Sequence, residues 1–87
     1  MIVRKKCWPL YFQEIDEGKK NYELRLNDFT IRAGDVLILE EYDPETKEYT
    51  GRTLEKKVLG VNQFKLEKLF WTEAEIKEKG FQIISLG

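Results

Sequence analysis

Ala33-Gly34-Asp35-Val36-Leu37-Ile38-Leu39 is the stretch on which the fold turns. Gly34 and Asp35 form a turn, and four successive apolar residues follow it. Strict alternation would mark a strand with one wet face, whereas an unbroken apolar run marks a strand covered on both faces, as in a small closed barrel. On the C-terminal side, Tyr42-Asp43-Pro44-Glu45 places Asp and Pro at the first two positions of a type I turn. The chain then returns through Tyr49-Thr50-Gly51 into a strand expected over 52–62. The product is a long hairpin with an acidic tip and Tyr42 and Tyr49 paired across it.

On the N-terminal side, Tyr22, Leu24 and Leu26 alternate with Asn21, Glu23, Arg25 and Asn27, which predicts a half-buried strand with one polar face. Before it, Trp8, Tyr11, Phe12 and Ile15 recur at helical spacing. Pro9 suits a first helical turn and Gly18 a C-terminal stop, so a helix is expected over 9–17. Ile2 to Lys6 reads as a short strand. Toward the other end, Phe64 to Phe70 suggests a helical turn. Thr72 and Glu75 form a capping box, Trp71 and Ile76 stand where a hydrophobic staple closes, and Gly80 ends this second helix. Phe81 to Leu86 reads as a final strand. Strands and helices do not alternate regularly, so the fold class is α+β, a small curved mixed sheet or barrel with two or three short helices.

The 87 residues fit one domain, 1–87. Charged residues make up 36% and are mostly Glu and Lys, a bias like that of thermophile proteins. The formal net charge of −1 hides an uneven distribution. Residues 1–32 and 56–87 are mildly basic and 33–55 strongly acidic, so a nucleic-acid role needs a local basic patch with the acidic hairpin turned away. Cys7 is the single cysteine, which rules out an internal disulfide and suits a reducing, cytoplasmic setting. No apolar run approaches a membrane span, and the start has no long apolar stretch after its charges, so neither a membrane segment nor a signal peptide is expected. A monomer is expected.

The chain contains no histidine. Ser-His-Asp, Cys-His and His-ligated metal sites are therefore impossible within it, and no phosphate loop, paired cysteines or EF-hand spacing is present. No metal or cofactor is expected, and Glu40, Glu41, Glu45 and Glu48 read as a solvated hairpin. Trp8 and Trp71 read as core aromatics, although either could stack a base if exposed. Cys7 reads as a small buried hydrophobe. The informative group is Lys19, Lys20, Glu23, Arg25 and Asn27. If that face lines a groove, Lys and Arg can meet phosphate and Glu can accept from a base amino group. If it faces water, it holds only weak ion pairs.

Trp8-Pro9-x-Tyr11-Phe12, then Gly18-Lys19-Lys20-x-Tyr22-Glu23-Leu24-Arg25, then Ala33 to Leu39 resemble the ASCH domain, in its short prokaryotic and phage form. The hairpin Tyr42 to Arg52 shares that likeness, which covers residues 8–62. The resemblance implies a PUA-like β-barrel, a cleft beside the first helix, and binding of RNA or a nucleotide through Lys20, Glu23 and Arg25. A related branch resembles small amidohydrolases that deacetylate N4-acetylcytidine with a lysine base, a threonine three residues later and a distal glutamate. Lys20 matches that lysine, Glu23 stands where the threonine would be, and Glu67 is one candidate for the distal acid. Three readings follow: an RNA- or nucleotide-binding module, a hydrolase of an acylated nucleoside, and a protein-interaction module using the acidic hairpin. In the first, no catalytic residue exists; in the second, Lys20 and Glu23 carry the chemistry.

Overall fold

The computed structural model describes residues 1–66, 70–82 and 84. Its elements run β1 (Ile2–Cys7), α1 (Pro9–Asp16), β2 (Val36–Asp43), β3 (Glu48–Lys57) and α2 (Glu73–Lys79). The strands form one mixed sheet in the order β1-β2-β3. β1 lies parallel to β2, from Ile2 against Val36 to Cys7 against Glu41. β2 and β3 form the antiparallel hairpin. A parallel pair needs a crossover, and α1 with the long segment 17–35 supplies it. The result is a small α+β domain whose three described strands make an open sheet.

The central run behaves as a strand covered on both faces. Ile38 and Leu39 point to opposite sides, yet only 7% and 1% of their surfaces are exposed. Leu39 packs with Cys7 and with Phe12 and Ile15 of α1, and Leu37 and Leu54 border this core. Among the described residues this cluster has four buried side chains, so each carries a large share of the contact that holds α1 on the sheet.

The hairpin is tied by Tyr42 opposite Tyr49, their rings edge to face at 5.2 Å. At its tip Asp43 accepts from the Glu45 N–H through its side chain and from the Lys47 N–H through its carbonyl. β3 therefore starts earlier than the expected 52–62. It also ends at Lys57, because its partner strand has run out there: Lys57 lies opposite Val36, the first residue of β2.

Four expectations are corrected. Residues 21–27 form no strand, and Leu24 and Leu26 are 62% and 81% exposed. The alternation is present in the sequence, but the segment is held by side-chain contacts instead of a ladder. Trp8 is not core: it precedes α1 as the N-cap and is half exposed. Glu41 is not solvated but buried, where β2 carries a register irregularity. The expected final strand is not formed at Phe81, Gln82 or Ile84, and its other residues lie outside the described ones, as does Glu67. Among the described residues, no helix is long and apolar enough to cross a membrane.

Candidate functional site

A cleft of about 540 Å³ opens where the end of β1, helix α1 and the segment after it meet. Local backbone chemistry builds its entrance. Helix α1 ends in a Schellman motif: Gly18 takes a left-handed φ of 78°, its N–H bonds the Ile15 carbonyl, and the Lys19 N–H reaches back to Glu14. The Lys20 N–H bonds the same Glu14 carbonyl at 3.1 Å. The reversal thus fixes Lys20 against the helix end and turns its side chain inward, where it is 13% exposed.

Lys20 Nζ lies 3.7 Å from Glu23 Oε1 and faces the rings of Tyr11 and Tyr22, at 4.6 and 5.3 Å. A carboxylate and two ring faces all favour a cation at this point. Arg25 Nε donates to the other oxygen of Glu23 at 2.8 Å, and its Nη2 donates to the Lys6 carbonyl. Glu23 therefore sits between two cations, and Arg25 is pinned to the end of β1. This contact, not strand pairing, holds residues 21–25 beside the sheet.

The floor is Cys7. Burial pushes its thiol above the ordinary value, and the Glu23 carboxylate adds to this, while Lys20 and Arg25 pull the other way. The thiol is protonated at neutral pH and is a poor nucleophile. The outer wall is aromatic. The Trp8 and Tyr11 rings lie within 17° of parallel, with centroids 6.4 Å apart, and are 54% and 45% exposed. Helical periodicity places these two on a buried face, but α1 buries only Phe12 and Ile15 against the sheet, which leaves Trp8 free for the stacking role open to it if exposed. The clue in the sequence was an apolar stripe wider than so short a helix can bury.

Of the five polar residues singled out, Lys20, Glu23 and Arg25 line the cleft. Lys19 turns outward to Glu17 at 2.9 Å, which raises the lysine's pKa, while the Gln13 side-chain amide, and then Lys19, hold the Glu17 carboxyl below its ordinary value. Asn27 accepts from Gln63 at 3.4 Å, away from the cleft. Among the described residues, no group of His, Cys, Asp or Glu is arranged to hold a metal ion.

The sequence profile of DUF3850, a domain of unknown function, matches residues 4–84, and the chain belongs to that family. No curated protein and no solved structure matches the chain.

Proposed function

We propose that this domain is a binding module for RNA or a nucleotide and that the cleft beside α1 is its ligand site. The observation that carries this reading is the meeting of Lys20 and Arg25 with two half-exposed, nearly parallel aromatic rings around one concave surface. Cations meet phosphate, and a ring face accepts any base by stacking, worth about 1–3 kcal/mol per base. Glu23 serves chiefly to hold the two cations apart and oriented. The ASCH resemblance of residues 8–62 supports the same site, and with it a PUA-like barrel as the finer fold. A lone cysteine without a disulfide is in keeping with a cytoplasmic location.

The hydrolase alternative has less support. Among the described residues, no serine or threonine lines the cleft, and Cys7 is held as the thiol.

Titration of short single-stranded RNA against the domain tests the proposal, with Trp8 fluorescence as the signal in a Trp71→Phe background. Quenching and saturable binding are expected, weakening with salt. Lys20→Ala with Arg25→Ala should reduce affinity by about tenfold or more, as expected when charge-assisted phosphate contacts are lost. Equal or absent binding for both proteins would sink the reading.

A further inference from the structure

The charge of the cleft sets the kind of phosphate it takes. Among the described residues, three cations and two carboxylates line it: Lys6, Lys20 and Arg25 against Glu14 and Glu23. Lys6 contributes least, because its ammonium lies over the Tyr42 ring at 4.2 Å. Glu23 is in contact with both remaining cations, so the surplus is at most one positive charge.

The donor geometry fixes the side from which a phosphate approaches. Any phosphate is gripped best by two parallel N–H groups of an arginine fork. In Arg25 the side-on edge of that fork is already filled, Nε by Glu23 and Nη2 by the Lys6 carbonyl. Among the described residues, Nη1 has no partner, so what Arg25 has left for a ligand is the outer edge of its fork, through Nη1, with the side-on edge closed. Lys20 adds a point charge, with Glu23 already on one side of it.

We infer that the cleft takes an internal phosphodiester of a nucleotide chain, with one flanking base against Trp8 and Tyr11, and discriminates against terminal phosphates. This inference rests on the proposed nucleotide site. A phosphodiester carries one negative charge, which matches the surplus. A phosphomonoester carries about −1.5 to −2 at neutral pH, and a triphosphate more, which brings unpaired negative charge against Glu14 and Glu23.

The test compares dinucleoside monophosphates, nucleoside 5′-monophosphates and nucleoside 5′-triphosphates, each with all four bases, by Trp8 fluorescence. The diester is expected to bind about tenfold more tightly than the triphosphate, since like charges brought together cost affinity. For a longer single-stranded RNA the slope of log K against log salt should lie near −0.7, one phosphate contact. Glu23→Gln keeps the shape and removes a negative charge, so it should bring the triphosphate to near parity with the diester. A triphosphate that binds tightest to the wild type, or a preference that Glu23→Gln leaves unmoved, would overturn the inference and leave the nucleotide site standing. Absence of binding by every probe would overturn both.

Discussion

Helix α1 has no side-chain hydrogen bond at its start, yet it buries Phe12 and Ile15; helix α2 carries a complete capping box and has no buried residue. Both contain seven or eight residues, too short to persist in water on their own. α1 is held from outside, by packing on Leu39 and Cys7. α2 is held at its ends: Thr72 accepts from the Glu75 N–H, Glu75 accepts from the Thr72 N–H, and acidic residues open the helix while lysines close it. The cleft is built on the helix that is packed. A binding surface needs positions set by the core, because a frayed helix end would move Lys20, Tyr11 and Trp8 relative to one another.

The contrast is broken most severely at Phe12, which is 1% exposed. Phe12→Ala should cost about 3–5 kcal/mol, much of the stability of a domain this small. Denaturant unfolding should show a collapse of the midpoint, and ligand binding at the cleft should disappear with it. A shift below about 1 kcal/mol would mean that α1 does not depend on its packing.

A smaller effect is expected where the hairpin reaches α1. Arg52 bonds Gln13 and Asp16 of the helix, lies over the Phe12 ring at 4.8 Å, and is 3.7 Å from the buried Glu41. Thr50 donates to the same Glu41 at 2.6 Å. Gly51, between them, has a φ of 94°, a backbone state that side chains disfavour by roughly 1–2 kcal/mol. Gly51→Ala should cost about that much in chemical denaturation. Arg52→Met keeps an apolar stem over Phe12 but leaves Glu41 with Thr50 alone. It should also cost about 1–2 kcal/mol, held low because Arg52 is half exposed. Arg52→Lys should recover only part of the loss, since an ammonium lacks the fork that spans α1 and Glu41.

These residues also mark where sequence reading succeeds. The turn at Asp43-Pro44, the Tyr42–Tyr49 pair and the caps of α2 depend on neighbours in sequence or directly across a hairpin, and all were legible. The both-faces burial of Ile38 and Leu39 followed from their unbroken run. The segment 21–27 was misread because its alternation mimics a strand while its actual anchor, Arg25 on the Lys6 carbonyl, joins residues far apart in the chain. Glu41 was misread for the same reason: nothing local distinguishes it from Glu40, which stays partly exposed near Arg4. In the cleft, Lys20, Glu23 and Arg25 stand out in the sequence as a group, whereas the exposure of Trp8 does not, because periodicity reports a face, not whether anything covers it.

The smallest and most local effect belongs to α2. Thr72→Ala removes the hydroxyl that accepts from the Glu75 N–H and should loosen the helix by about 1 kcal/mol. Because the helix has no buried residue, the global unfolding midpoint should hardly move, and the change should be read as faster amide exchange at Glu75 and Ile76. Acid should act on the same contact. The Thr72 backbone N–H, and then its hydroxyl, hold the Glu75 carboxyl below the usual glutamate range. A depressed pKa stabilises the capped state above the unfolded value and loses that contribution as the pH falls through the folded one. The helix should therefore stay protected at a pH where an unbonded glutamate has begun to protonate, and fray below that. Glu75→Gln should abolish this acid step, since an amide accepts the same hydrogen bond without titrating. An acid step that persists in Glu75→Gln would assign it to another carboxylate, and α2 would then owe less to its cap than the geometry implies.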